Sequence, residues 1–262
     1  MIYLVVCGAA LFVSGLTLYS GFGLGTLLMP VFAVFFPVHV AVAATAVVHG
    51  ANNIFKVLMV GRHADRELVL RFGMPAIIAA FAGAAALGYV SGFDALATYS
   101  IGAKTAVITP VKLVMGILVL IFAMFELLPL LRKLKIDRRH LLWGGLLSGF
   151  FGGLSGHQGA LRSAFLLKTG VSTEAFVGTN AFIGFMVDMA RIVAYGFLFL
   201  AAGAASPIGA EQWPLIGAGT GAAFIGVIIG KRWMHKVTMT TVQTIAGVLL
   251  LGISVCLMAG II

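Results

Sequence analysis

The sequence predicts an all-α polytopic membrane protein with about eight hydrophobic segments in two inverted repeats. Its composition, the placement of its basic residues and a weak internal repeat predict this fold. Hydrophobic residues make up 61% of the 262 residues and charged residues only 10%, whereas a soluble domain carries about 25% charged residues. Apolar stretches near 20 residues long must form helices in a bilayer, because lipid offers their backbone groups no hydrogen bonds.

Glycine-rich stretches interrupt two of the apolar segments, and each interrupted segment is predicted to form a hairpin of two short helices. The segments cover 1–36 (broken at 20–25), 38–60, 72–91, 111–131, 141–168 (broken at 152–159), 174–200, 213–231 and 240–261. The hairpins can be re-entrant or can cross the bilayer twice as thin pairs, and the lengths of their arms leave both forms open.

The basic residues lie mainly in three connections, 61–71, 132–140 and 231–239. These connections and their edges hold 11 Lys and Arg residues, whereas 92–110 holds only Lys104 and 201–212 holds none. The positive-inside rule therefore predicts that the three basic connections face the cytoplasm and that both termini lie outside. It also requires the two broken segments to enter from opposite sides.

A weak internal repeat agrees with this orientation. An offset of 134 residues aligns Gly25-Thr26-Leu27 with Gly159-Ala160-Leu161, and Ala44-Thr45 with Gly178-Thr179. The predicted domains are a first inverted repeat at 1–131, a basic linker at 132–140 and a second repeat at 141–262. Inverted repeats with broken helices are the architecture of many secondary transporters.

The two broken stretches are candidate anion sites. Glycine lets the chain reverse within the membrane, and each stretch leads into a helix whose first amide groups have no partner within the helix. Helix N-termini carry partial positive charge and bind anions. The alternative is that the glycines only allow tight helix packing. The candidate substrate contacts here are Gly23, Gly25 and Thr26 in the first stretch and His157 and Gln158 in the second.

Arg162 follows the second broken stretch, where the repeat places Leu28 in the first half. A buried arginine in a membrane is costly and marks a pathway or a paired site, and its guanidinium suits sulfonate, carboxylate or phosphate oxygens. Snorkelling to the cytoplasmic face is the alternative. The same interpretation is favoured for Lys56, near the cytoplasmic end of its helix, and Lys112 can reach the outer interface in this way.

Asp188 and Arg191 lie three residues apart in 174–200 and therefore share one helical face. An internal neutralising pair is the favoured interpretation. Otherwise Asp188 is a candidate proton relay and Arg191 a second anion contact.

Further polar residues follow each hairpin and are predicted to border a polar cavity. Their i, i+4, i+7 spacing on the first such helix places three of them on one face. The three are Thr45, His49 and Asn52; Asn53 accompanies them in the first half, and Thr179 and Asn180 are their counterparts in the second. No metal-ligand cluster, nucleophile elbow or paired carboxylate is visible, so no metal, cofactor or enzymatic activity is predicted.

The run Gly21-Phe22-Gly23-Leu24-Gly25-Thr26-Leu27-Leu28-Met29-Pro30, followed by Ala43-Ala44-Thr45, resembles the TauE/SafE sulfite exporter family. The second copy is the stretch 152–159 followed by Gly178-Thr179-Asn180. The resemblance implies a bacterial inner-membrane transporter of sulfite, organosulfonates or related sulfur-containing anions. Where the family usually repeats three glycines and the proline, the second copy has His157-Gln158-Gly159 and Ala164, with Arg162 between them. A larger or doubly charged organic sulfonate is therefore as plausible a substrate as sulfite.

The predicted function is therefore a secondary transporter that moves a small anion by alternating access around a site at the bilayer midplane. A passive anion channel, a transporter of another organic anion such as a carboxylate, and a membrane scaffold are the alternatives. The predicted partners are the small anion and the lipid bilayer, with no nucleic acid. A co-transported proton and a homo-oligomer stay open.

Overall fold

The computed structural model describes residues 1–18, 24–102, 104–132, 136–166, 169–201, 208–233 and 239–262. Within these residues the structure is almost entirely helical. The helices are α1 (Ile2–Leu16), α2 (Leu24–Ala33), α3 (Val38–Val60), α4 (Arg66–Leu68), α5 (Met74–Ser91), α6 (Pro110–Leu127), α7 (Pro129–Arg132), α8 (Leu141–Ser155), α9 (Gly159–Leu166), α10 (Thr173–Ala201), α11 (Trp213–Trp233) and α12 (Met239–Met258).

Among the described residues, five helical stretches are long and apolar enough to cross a bilayer. They are Val38–His63, Arg66–Ser91, Pro110–Leu127, Thr173–Ala201 and Ala210–Arg232. The helices of the two predicted hairpins are shorter: α1 and α2 form the first, and α8 and α9 the second. The chain is therefore a multi-pass, helical membrane protein.

The second hairpin reverses over a shorter stretch than predicted. α8 continues to Ser155, and Gly156 ends it in the left-handed region at φ +81°, which glycine adopts without steric cost. α9 begins at Gly159. In the first hairpin α1 ends at Leu16 and α2 begins at Leu24, and residues 19–23, including Gly23, lie outside the described part.

Two connections contain structure that the sequence analysis did not predict. In 61–71, α4 begins at Arg66 after an Asp65 cap and continues through a π-helical turn, Val69–Gly73, into α5. In 92–110, strands β1 (Ala97–Ile101) and β2 (Lys104–Ile108) form an antiparallel hairpin that pairs Ala97 with Ile108. The prediction of an all-α chain was wrong for this connection, because alternating Thr, Ser, Val and Ile residues favour strands wherever a turn brings them together.

The helices pack in pairs that join the two halves of the chain: α1 with α11, α5 with α8, α3 with α10 and α6 with α12. Small residues allow the closest approaches. A Cβ atom on Gly149 of α8 would lie 2.0 Å from the Ala76 carbonyl oxygen of α5, and one on Gly226 of α11 would lie 2.2 Å from that of Leu11 in α1. Large apolar side chains on the outer faces of α11 and α12, such as Ile228 and Val248, stay exposed to lipid.

α3 and α10 are antiparallel neighbours that extend past both hairpins. The rings of His39 and Phe199 lie 5.9 Å apart at one end of the pair. At the other end, a Cβ atom on Gly178 would lie 2.7 Å from the Val60 carbonyl oxygen. Between these ends lie most of the predicted site residues.

Candidate functional site: a buried polar cluster between the hairpins

The two hairpins meet beside α3. A Cβ atom on Gly25, in the first turn of α2, would lie 3.2 Å from the Gly156 carbonyl oxygen of the second hairpin. The same position is 3.7 Å from side-chain carbons of Thr45 and His49. Glycine at position 25 therefore permits a backbone contact between the hairpins, with α3 closing one side of it.

Asp188 lies at the centre of the polar cluster and is fully buried. One carboxylate oxygen accepts hydrogen bonds from Arg191 at 2.8 and 3.0 Å and from Gln158 at 3.1 Å. The other lies 2.7 Å from His49 Nδ1 and 3.0 Å from Asn53 Nδ2. The predicted pair of Asp188 with Arg191 is confirmed, and three further side chains join it.

Arg162 lies beside this pair with a different set of partners. Its Nε donates to the Asn180 amide oxygen and its Nη1 to Gln158 Oε1 at 2.9 Å. The residue is 2% exposed, so it does not snorkel to the surface. Within the described part of the chain, its guanidinium forms no ion pair with a carboxylate. A buried cation is thus held by neutral amides alone.

Gln158 connects the two charged groups. Its amide nitrogen donates to Asp188 while its amide oxygen accepts from Arg162, and Ser148 donates to its backbone carbonyl at 3.0 Å. Arg191 also donates a hydrogen bond to the Gly152 carbonyl oxygen, and the Tyr195 hydroxyl donates one to the Gly153 carbonyl oxygen. The second hairpin is therefore attached to α10 through its backbone as well as its side chains.

Several buried polar atoms of the predicted site residues have no hydrogen-bond partner among the described residues. They include Thr26 Oγ1 in α2, Asn52 Nδ2 in α3 and His157 Nε2 in the second hairpin. The other nitrogen of His157 lies 3.0 Å from the Ser155 carbonyl, and its ring stacks on Phe122. Buried donors and acceptors without partners are uncommon in native proteins, and free polar groups of this kind are available to a ligand.

The polar residues predicted to share one face of α3 form hydrogen bonds with different partners. Thr45 donates to the Ala41 carbonyl of its own helix at 2.7 Å, whereas Asn52 accepts a hydrogen bond from Ser14 of α1. Thr179 lies apart from the cluster's hydrogen bonds, since its hydroxyl accepts from the Asp65 backbone amide at 2.8 Å. It holds the connection between α3 and α4 against α10.

The sequence did not point to Ser14 or Tyr195 as site residues. Asn53 was grouped with the polar residues of α3 but not placed on the face of Thr45, His49 and Asn52, although it lies four residues after His49 on one helical face. Ser14 and Tyr195 carry no local signal. Among the described residues, no group of three His, Cys, Asp or Glu side chains could hold a metal ion.

A family model described as sulfite exporter TauE/SafE matches residues 3–257 of the chain. The protein belongs to the TauE/SafE family. TauE/SafE proteins are membrane transporters, so the buried cluster lies within a transport protein. No curated protein matches the chain.

Two cavities adjoin the α3 and α10 pair of this TauE/SafE protein at opposite ends. One, of about 250 Å³, lies between His39, Ser91, Tyr195 and Phe199. The other, of about 260 Å³, lies at the end that carries Lys56 and Glu174. The buried cluster separates them.

Proposed function

We propose that the protein is a secondary transporter that moves a small sulfur-containing anion, sulfite or an organosulfonate, by alternating access around the buried cluster. The observation that carries this proposal is the charge balance of the cluster. Two buried guanidinium groups, of Arg162 and Arg191, face one carboxylate, Asp188. With both histidines neutral, one positive charge stays unbalanced in a region of low dielectric constant, where an anion would be strongly attracted.

Arg162 is the residue that provides this charge to the substrate. Arg191 is already paired with Asp188, whereas Arg162 is bonded to amide oxygens that carry no net charge. The unpartnered polar atoms of Thr26, Asn52 and His157 supply candidate hydrogen bonds to the anion's oxygens. Gly25 and the first turn of α2 add backbone amides.

The cavities support alternating access over an open pore. Each approaches the cluster from one end of α3 and α10, and the hydrogen-bonded side chains between them form a barrier. A passive channel requires a continuous path, whereas a transporter requires a site that opens to one cavity at a time.

The packing of the helices supports the inverted repeats at 1–131 and 141–262, on either side of the basic linker. α1 packs on α11 and α8 on α5, so each hairpin lies against a long helix of the other half. α3 pairs with α10 and α6 with α12, which the offset of 134 makes equivalent positions. A twofold axis in the membrane plane would relate these pairs. The basic connections support an orientation in which the Lys56 end faces the cytoplasm of a bacterial inner membrane.

Asp188 is our candidate for proton coupling, with Arg191 as its fixed partner. Its carboxylate lies 2.7 Å from His49 Nδ1. It also accepts a hydrogen bond from Gln158, which in turn accepts one from Arg162. A proton that binds to this carboxylate or to His49 would increase the positive charge around Arg162 and strengthen anion binding. Binding of the anion and of the proton would then be linked.

The test is sulfite flux into proteoliposomes, with and without a pH gradient, for the parent protein, Arg162→Gln and Gln158→Glu. Arg162→Gln removes the unbalanced charge, and Gln158→Glu places a carboxylate beside it at nearly the same size. Both should lower sulfite affinity at least about tenfold, because a hydrogen bond to a charged group contributes about 1.5–3 kcal/mol. Arg66→Gln, an exposed arginine, is the matched control for a lost charge.

Unchanged, saturable sulfite flux in Arg162→Gln would contradict the assignment of Arg162. Flux in the parent protein that follows the electrochemical gradient without saturation would favour the passive channel. The same assay with taurine, sulfoacetate and simple carboxylates would identify the substrate.

A further inference from the structure

A basic chamber lies at the end of the molecule where α3 ends and α10 begins. We use this name for the 260 Å³ cavity whose charged lining consists of Lys56, Arg62, His63, Lys231 and Glu174. Three of these residues are lysine or arginine, one is histidine, and one of the described lining residues is acidic. The remaining lining is mostly apolar, which strengthens the field of the charges because it excludes solvent.

Lys56 is the deepest charged group of the basic chamber. It is 6% exposed, whereas Arg62 and Lys231 are exposed at its rim. The sequence prediction that Lys56 snorkels to the interface was therefore wrong, because α10 and the neighbouring loop cover this turn of α3. Lys56 forms no ion pair with a described carboxylate, although Glu174 lines the same cavity.

The basic chamber adjoins the buried polar cluster around Asp188. Lys56 lies one turn beyond Asn53, which bonds to Asp188. A Cβ atom on Gly184 would lie 2.6 Å from Asn53 Nδ2 and 3.3 Å from Arg162 Nη1, so the side chains of Asn53 and Arg162 meet at Gly184 of α10, one turn of α3 from Lys56. Lys56 and Arg162 are thus two buried cations at the interface of α3 and α10, and neither forms an ion pair with a described carboxylate.

We propose that the basic chamber is a second anion site, distinct from the Arg162 site, that binds a small inorganic oxyanion with Lys56 as its buried charge. A cation that is buried without a counter-ion is costly, and a bound oxyanion removes this cost. Arg62, His63 and Lys231 at the rim would raise the local concentration of anions by their field. Oxyanion binding to Lys56 does not rest on the proposed transport function.

Sulfate protection of an introduced thiol tests this inference. Met59 lines the basic chamber, and Met59→Cys is made in a Cys7→Ala, Cys256→Ala background, which removes both native thiols. The purified protein in nanodiscs is treated with an anionic sulfonatoethyl methanethiosulfonate, with and without sulfate. We expect sulfate to slow the modification saturably. Lys56→Met should reduce this protection at least about fivefold, and Lys56→Arg, which keeps the charge, should retain it.

Arg162→Gln in the same background separates the two sites. It should abolish high-affinity sulfite flux yet leave sulfate protection at position 59 unchanged. Equal protection in Lys56→Met and the parent protein, or no protection in the parent, would overturn the second site while leaving the Arg162 assignment intact. A Lys56→Met protein that fails to fold would also show no stabilisation by sulfite in a thermal-shift assay. In that case Lys231→Met, a change at an exposed position, replaces Lys56→Met in the experiment, and we expect it to lose part of the sulfate protection.

Discussion

The two hairpins align in the weak internal repeat of the sequence but carry different chemistry. Gly25 and Thr26 lie in the first turn of α2, near the contact between the hairpins. The internal repeat aligns the buried Leu28 of α2 with Arg162 of α9. The second hairpin supplies Gln158 and Arg162 to the polar cluster, whereas the first supplies Gly25 and the hydroxyls of Ser14 and Thr26.

Under the proposed twofold axis, this difference means that one hairpin alone supplies an arginine to the proposed anion site. A site with an arginine from each hairpin would bring two uncompensated cations together, which is costly in a membrane interior. One arginine, from one hairpin, matches one monovalent anion. The equivalent leucine keeps the packing and avoids the second charge.

The largest effect should come from Asp188→Asn, which removes the one described carboxylate of the cluster and leaves two buried guanidinium groups. Loss of one partner of a buried ion pair costs about 3–5 kcal/mol, so we expect a large fall in thermal stability in detergent. The double variant Asp188→Asn, Arg191→Gln removes both members and should recover much of the loss. Proton-coupled flux that persists in Asp188→Asn would exclude this carboxylate as the coupling group.

A smaller effect on thermal stability should come from substitutions of the glycines that bring each hairpin close to its neighbouring long helix. These substitutions test whether both hairpins depend equally on close backbone packing. Gly149→Ala and Gly226→Ala each place a methyl group within 2.2 Å of a backbone carbonyl oxygen across the helix pair. Such overpacking costs about 1–3 kcal/mol, and we expect similar losses of thermal stability in both variants.

Gly217→Ala is the matched control for these substitutions, since nothing lies within 4 Å of its Cβ position. Alanine is the better helix former by about 1 kcal/mol, so this variant should be neutral or more stable. A destabilised Gly149→Ala with an unaffected Gly226→Ala would show that the backbone frame is asymmetric too.

The smallest effect should come from Thr26→Val, which removes the hydroxyl that α2 contributes. Because this hydroxyl has no partner in the described structure, its loss should leave stability unchanged without substrate. Sulfite affinity should fall about threefold to tenfold if it contacts the anion. Thr179→Val should instead lower stability slightly and leave affinity unchanged, because Thr179 accepts from Asp65. The reverse pattern would exchange the roles of the two threonines.

The positions of the membrane helices could be predicted from the sequence because they depend on local properties. Hydropathy and chain length defined α3, α10 and α11 to within about two residues, and glycine runs located both hairpins. The predicted all-α class failed at 92–110, where the hairpin of β1 and β2 forms outside the apolar segments.

Part of the polar cluster was also predictable. Asp188 and Arg191 were expected to pair because they are three residues apart on a helix. Arg162 was expected to be buried because a charged side chain within an apolar segment usually faces the protein interior and not lipid. Residues that serve the loops, such as Thr179, could not be told from residues of the site, since both are polar and lie within apolar helices.

The sequence by itself determined that this chain is a helical membrane protein with glycine-broken hairpins and an arginine in the second one, because hydropathy, turn chemistry and charge act over neighbouring residues. Only the tertiary structure decided which polar groups meet. His49 and Asp188 are 139 positions apart, and Lys56 is buried only because α10 covers its helix end. The pairing of distant helices therefore left Arg162 without a counter-charge, and this defines the candidate anion site.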